Sequence, residues 1–297
     1  MKKISIFGIF RERSHSPRRE FDDEAILRET AKRLDESPEL EVHLFHPEEF
    51  LDRSFNDNPA LIFFMCEEAP YLNKLSQISY DNGCVLVNTV ESVENTFRKN
   101  MVTLLSDLPF FPRSTLIPTS RPISRGEHGE CWLKRGDYHA TCDEDVVFVD
   151  NDRDLVTGLS RFSARDIDTV LIQEHIPGDI IKFYCIRDCQ TKHTWWFKWF
   201  YHKDQDLREF GFSESELMDN CIMAGDSMGL DIYGGDAIVT KDGDIFVIDI
   251  NAWPSFALFR KEAAKFISQL LRTKLIEHLG AASFPGTRIA DSLNLSV

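Results

Sequence analysis

An aspartate stands inside an otherwise apolar run, Ile245-Phe246-Val247-Ile248-Asp249-Ile250, and Asn251, Ala252, Trp253 and Pro254 follow it. A carboxylate in such a run is costly to bury unless it is paired or bound to a metal. The strand must therefore be built around that acid. Upstream lies Gly235-Asp236-Ala237-Ile238-Val239, and Lys241-Asp242-Gly243-Asp244 joins the two segments with an Asp-Gly pair, a strong hairpin signal. Residues two apart on a strand share a face, so Asp236 can point the same way as Asp249 and Asn251. Two carboxylates and an amide oxygen suit magnesium, which takes few protein ligands and completes its shell with phosphate oxygens and water. The plainer alternative is a strand end and turn before Pro254.

The N-terminal third alternates short apolar runs with amphipathic segments, the pattern of βαβ units around a mainly parallel sheet. Strands are expected at Ile4 to Phe10, Val42 to Phe45, Ala60 to Met65 and Gly83 to Asn88, with a helix over Asp22 to Glu36. Pro109, Pro112, Pro118 and Pro122 then punctuate the chain, and a domain boundary is expected there, dividing 1–112 from 113–297. The second part reads as antiparallel-rich α+β. Its strands fall at Cys131 to Arg135, Val146 to Val149, Val170 to His175, Ile180 to Arg187, Thr194 to Tyr201, Asp236 to Lys241 and Asp244 to Ile250, and a helix over Ser255 to Leu279 closes it.

Other classes are excluded on general grounds. With 297 residues, 42% of them hydrophobic, and 49 acidic against 34 basic side chains, the chain is globular, and its net charge of −15 argues against broad binding to nucleic acid or to an anionic membrane. Seven cysteines without paired spacing suggest reduced thiols and a cytoplasmic setting, with no zinc site. No apolar stretch is long enough to span a bilayer. The sequence also lacks the P-loop, Rossmann, zincin and nucleophile-elbow motifs, so any nucleotide must be gripped by lysines and metal-binding acids.

The ending Val-Ile-Asp-Ile-Asn-Ala-Trp-Pro resembles the terminal metal motif of the ATP-grasp superfamily, and most of the chain follows the order of that family. The resemblance implies an ATP-grasp fold behind an N-terminal parallel-sheet, pre-ATP-grasp domain. It makes Asp236, Asp249 and Asn251 the magnesium ligands. Lys99, within Asn88 to Pro112, and Lys134 become the lysines that reach the nucleotide. Gln173, Glu174, His175 and Ile176 become the strand and hinge that hold adenine, and Lys182 takes the place where many members carry arginine beside the transferred phosphate. In Thr194 to Tyr201 alternation sets Trp196, Lys198 and Phe200 on one face, so Lys198 is either a snorkelling core lysine or a second phosphate ligand beside Lys182.

The loop Lys134-Arg135-Gly136-Asp137-Tyr138-His139-Ala140-Thr141 departs from the family pattern, because a single glycine stands where many members have a glycine-rich phosphate lid. Arg135, His139 or Thr141 would supply side-chain donors instead. Arg11, Arg13, Arg18 and Arg19 crowd the loop after the first strand and form the candidate acceptor site, because such loops line the crevice of a parallel sheet. The resemblance implies an ATP- and magnesium-dependent carboxylate-amine ligase, similar to glutathione synthetase and D-alanine-D-alanine ligase, acting on a small molecule or peptide. Two alternatives stand beside it. The ending is also similar to that of inositol trisphosphate kinases, and a regulatory ATP-binding protein without turnover is the third reading. A homodimer is expected only from the prevalence of such assemblies.

Overall fold

The computed structural model describes residues 3–13, 20–54, 58–123, 126, 129–138 and 140–280. In chain order its elements are β1 (Ile4–Ile9), α1 (Glu20–Asp35), β2 (Leu40–Phe45), α2 (Pro47–Asp52), β3 (Leu61–Phe64), α3 (Ala69–Asn82), β4 (Val85–Val87), α4 (Val90–Glu94) and α5 (Arg98–Leu105). There follow β5 (Ser114–Pro118), β6 (Cys131–Arg135), β7 (Val146–Val149), α6 (Asp152–Ser163), β8 (Thr169–Glu174), β9 (Asp179–Asp188), β10 (His193–Tyr201), α7 (Glu214–Met228), β11 (Ile232–Val239), β12 (Ile245–Ala252) and α8 (Arg260–Leu279).

The chain packs into two compact units, one of residues 1–90, 185–196 and 253–297, the other of 91–184 and 197–252. This division differs from a single cut at 112/113. The C-terminal helix α8 belongs with the N-terminal unit because its apolar stripe of Ala263, Ala264, Ile267, Leu270, Leu271 and Leu275 is buried, and α1 is the helix it packs on. Arg272 of α8 donates to the carbonyls of Arg33 and Leu34 at 2.5 and 3.2 Å, covering acceptors that the end of α1 leaves open.

In the first unit the parallel strands lie in the order β2-β1-β3-β4. All four residues of β3 are buried, as expected of a strand covered on both faces. The crossovers from β1 to β2 and from β3 to β4 run in opposite directions. Right-handed connections then put α1 and α3 on opposite faces and create a switch point between β1 and β3.

The second unit holds two antiparallel sheets, ordered β5-β8-β6-β7 and β10-β9-β11-β12. In the first of them Cys131, Leu133, Val149, Val170 and Ile172 pack with Leu155, Leu159 and Phe162 of α6. The β11–β12 turn is as expected: the amide of Gly243 donates to Thr240 at 3.0 Å, that of Thr240 to Asp244 at 2.9 Å, and Gly243 takes φ +87°.

Four elements depart from the sequence-based expectation. Strand β5 lies inside the proline-punctuated stretch, which is possible because it is an edge strand that ends on Pro118. Helices α6 and α7 begin on Asn151 and Ser213, whose side chains accept from the amides of Asp154 and Glu216. Helix α8 begins at Arg260 rather than near Ser255, following the left-handed residues Trp253 and Phe256. Among the described residues no helix is long and apolar enough to cross a membrane.

Candidate functional site

The β11–β12 hairpin aligns its acids by register. Asp236 lies directly opposite Asp249, and Gly234 opposite Asn251, so the three polar side chains share one face. A bulge between Asp236 and Ala237 moves the pairing from Asp249 to Val247 and leaves Ile248 out of the ladder. The freed Ile248 carbonyl accepts from Nζ of Lys134 at 3.3 Å, which ties this hairpin to the other sheet of the unit. Gly235 permits the arrangement, because a Cβ there would lie 2.1 Å from the Asp249 carbonyl oxygen.

Strand β9 adds Lys182, whose Nζ lies 2.7 Å from Oδ1 of Asp236, each side chain about a quarter exposed at 26 and 27%. Ring contacts assign the faces of β9 and β10: Phe183 meets Phe197 and Tyr233 on one side, and Tyr184 meets Phe200 on the other. Alternation then sets Lys198 on the side of Tyr184 and Lys182. Lys198 is half-buried. No group of three or more His, Cys, Asp or Glu able to hold a metal occurs among the described residues. Two acids and one amide fit a cation that takes few protein ligands, and the ammonium on Asp236 occupies a cation position beside them.

Lys134 is 6% exposed, and burial pushes its ammonium down to about 8, with Arg98 adding to the fall and Asp249 and Asp236 opposing it. Lys99 is exposed, whereas its neighbour Arg98 is 1% exposed and turns inward. Consecutive helical residues point about 100° apart, so only one of the two can reach the interior. Arg98 donates from Nη1 to the carbonyls of Arg135 and Tyr138 at 3.1 and 3.4 Å, while its buried Nε has no hydrogen-bond partner. Burial lowers its affinity for the proton and Asp249 works against that fall. Arg98 is thus the basic residue of α5 that turns inward; the sequence reading did not single it out, and its hydrophobic neighbours Met101, Val102 and Leu105 at helical spacing were the available signal.

The glycine-poor loop after β6 takes its shape from ion pairs. Arg135 grips Asp137 through two bonds of 2.9 Å, and the fully buried Asp145 accepts from the amide and hydroxyl of Thr141 at 2.7 and 2.9 Å and from Arg165 at 2.5 Å. Burial alone would raise the Asp145 carboxyl; these bonds hold it below the usual carboxylate range instead. Arg135 and Thr141 are therefore engaged in holding the loop. His139 lies outside the described residues.

At the end of β8, Gln173 is buried and donates to the Ser114 hydroxyl at 3.2 Å. Glu174 forms a two-bond pair with the exposed Arg113 at 2.9 and 3.0 Å, which lowers its pKa. His175 accepts from the Trp132 indole at 3.1 Å, and Ile176 follows it as a half-buried residue.

Of the arginines after β1, Arg11 is drawn into the switch point of the first unit. Its guanidinium pairs with Glu67, with Asp23 at 3.2 Å and with the Trp253 carbonyl at 2.8 Å. Arg13 lines a hollow of about 250 Å³ with Arg11, His46, Pro47 and Glu48. Arg18 and Arg19 lie outside the described residues.

Beside Arg11, Glu12 accepts from the amides of Glu67 and Glu68, both at 2.8 Å, and burial raises it from 4.5 to about 7. A folded-state pKa above the ordinary one gives stability that is complete below about pH 4.5 and lost as pH rises through about 7. The thermal midpoint of the parent is therefore expected to fall between pH 5 and pH 8 relative to that of Glu12→Gln. At about 1.4 kcal/mol per pH unit the gap reaches at most ~3 kcal/mol. Parallel profiles for the two proteins would contradict this.

The fold over more than nine-tenths of the chain is similar to that of solved ligases. D-alanyl-alanine synthetase A from Vibrio cholerae superposes with a TM-score of 0.69 at 12% identity, covering 93% of this chain and 100% of the other. The D-alanine-D-alanine ligase of Bacillus anthracis, in complex with ATP, gives 0.67 at 14% identity over 94 and 99%. The ATP-grasp ligase PsnB, in complex with a minimal precursor, gives 0.61 at 18% identity over 93 and 99%. No family model matches the sequence, and no curated protein does so either.

Proposed function

We propose that this chain, built on the ATP-grasp fold, is an ATP- and magnesium-dependent ligase that joins a carboxylate to an amine through an acyl phosphate, on a small molecule or a peptide. One observation carries the reading. Asp236, Asp249 and Asn251 share a face of the β11–β12 hairpin, and the buried Lys134 of the opposing sheet bonds to the backbone between them. Acids without cations would repel a nucleotide, and cations without acids would hold it with no place for a metal. Both occur together here.

Asp236, Asp249 and Asn251 would hold magnesium, which when bound shields the charge of the terminal phosphates. Lys134 and Arg98 give the phosphates a buried positive surface where Coulomb interactions are strong. Lys182 faces the position where charge develops on the transferred group, the chief means of accelerating phosphoryl transfer. The acceptor carboxylate oxygen bonds to the γ-phosphorus as the bond to ADP breaks. The amine then attacks the acyl carbon and phosphate leaves, so the net products are amide, ADP and phosphate. No protein nucleophile is required.

Hydroxylamine intercepts acyl phosphates, so incubation with ATP, magnesium, hydroxylamine and pooled amino acids, dipeptides and small carboxylic acids is expected to yield a hydroxamate together with ADP. A stable phosphorylated alcohol in place of the hydroxamate would overturn the ligase reading. The assignment of Arg98 in place of Lys99 has its own test. Arg98→Ala is expected to weaken binding of a nonhydrolysable ATP analogue by tenfold or more, whereas Lys99→Ala leaves it unchanged, both read by calorimetry; the reverse order would restore Lys99 to the site.

A further inference from the structure

Helix α1 buries one face, through Ile26, Leu27, Thr30, Ala31 and Leu34, and turns the other outward. Phe21, Ala25, Arg28 and Lys32 recur at helical spacing and form a single outward stripe. That stripe is one wall of a groove of about 770 Å³ within the first unit, and residues 257–262, which lead into α8, are the other. An ion pair between Arg260 and Asp22 ties the two walls together.

Two large apolar side chains stand open at this groove. Phe21 is 82% exposed and Leu258 66%, and of the large hydrophobic side chains among the described residues only Tyr80 is more exposed than Phe21. Apolar surface rimmed by charge in this way marks a contact site. Ala25 and Ala257 line the same groove and are small enough for a second helix to approach.

The charges say what that second helix is. The groove is lined by the acids Glu24, Glu29 and Glu262 and by the bases Arg28, Lys32, Arg260 and Lys261, a near balance in a chain whose net charge is −15. Two copies can meet here without the repulsion that their overall charge imposes elsewhere. The order of the charges is also self-complementary. Acids open α1, with Glu20, Asp22 and Asp23 in its first turn, and Lys32 and Arg33 close it. Positions 24 and 28, like 20 and 32, are centred on residue 26, so a copy running antiparallel about a two-fold axis sets each Glu24 across from the other copy's Arg28 and each Glu20 across from its Lys32. Arg28 already holds Glu24 of its own helix at 3.2 Å on an exposed face, and its guanidinium has donors left for a second carboxylate.

We infer that this chain forms a two-fold dimer in which α1 of each copy lies antiparallel on the groove between α1 and residues 257–262 of the other. Phe21 and Leu258 supply the apolar centre of the contact, and the Glu24 and Arg28 pairs fix its direction.

Sedimentation of the full chain over a range of concentrations tests this, with circular dichroism to check that each variant is folded. The parent is expected to dimerise, and Phe21→Glu and Leu258→Glu are each expected to weaken self-association at least about tenfold. A charge reversal tests the direction independently. Glu24→Arg sets arginine against arginine across the axis and Arg28→Glu sets glutamate against glutamate, so each alone is expected to sediment as a monomer. Mixed in equal amounts the two are expected to form a one-to-one dimer, because every facing pair is then of opposite sign. A parent that is monomeric throughout, or a dimer indifferent to Phe21→Glu and Leu258→Glu, would overturn the inference. So would a mixture of the two reversed variants no more associated than either alone.

Discussion

Asp249→Asn is expected to fold like the parent and to lose magnesium-dependent nucleotide binding. The substitution preserves shape, so β12 keeps its packing, and removing a carboxylate from an otherwise apolar strand costs the fold little. The ligand set loses one of its two charges, because Asp249 stands directly across from Asp236 and only Asn251 accompanies them on that face. A loss of at least about a hundredfold in affinity for the magnesium complex, roughly 2.8 kcal/mol, is expected by calorimetry. The sign without metal is opposite. Asp249 opposes the burial-driven fall of both Lys134 and Arg98, so its neutralisation leaves those cations less compensated and more attractive to a phosphate anion. Metal-free AMP-PNP should thus bind the variant at least as well as the parent. Equal affinity of both proteins for the magnesium complex would remove Asp249 from the ligand set.

Lys182→Ala is expected to separate binding from turnover. The ammonium sits on Asp236 at 2.7 Å while about a quarter of it remains exposed, so it is held in place and still able to face a ligand. Deleting a preorganised donor aimed at developing charge typically costs about 10²–10³ in kcat. The base and the inner phosphates are assigned to other residues, so the dissociation constant of AMP-PNP should change by no more than a few fold. Lys182→Arg, which keeps the charge, is expected to recover part of the rate. Steady-state ADP release with the acceptor identified by hydroxamate trapping gives the rate, and calorimetry gives the affinity. A normal kcat in Lys182→Ala would end its assigned role.

Much of the architecture is legible in the residues because the signals are local. Asp242-Gly243 specifies the hairpin turn, the all-buried β3 announces a parallel sheet, and the acid in the apolar run of β12 marks the polar face. Helix α7 was equally legible in principle: Ser213 and Glu216 have capping-box spacing and Gly229 closes the helix in a left-handed cap. Other features depend on partners distant in sequence. That α8 packs on α1 follows from which apolar stripe meets which, and a single amphipathic pattern carries no such address. Arg98 and Lys99 are adjacent basic residues of similar chemistry, and only the phase of α5 against its core selects between them. Arg11 reads as a surface arginine in a basic loop, yet Asp23, Glu67 and the Trp253 carbonyl converge on it from three separate segments. The ion pairs that shape the loop after β6 are hidden for the same reason, since Arg165 reaches Asp145 across 20 positions of sequence.

Thermal unfolding of the parent with magnesium alone, AMP-PNP alone and both together tests the central claim most directly, because it needs no acceptor. A ligand specific for the folded state at about a hundred times its dissociation constant adds roughly 2.7 kcal/mol. In a chain of 297 residues this should appear as a rise of a few degrees in the midpoint. The expected result is a rise that requires both components and is absent in Asp249→Asn. No rise in the parent, or an equal rise with AMP-PNP alone, would contradict the assignment of Asp236, Asp249 and Asn251 to a magnesium-nucleotide site.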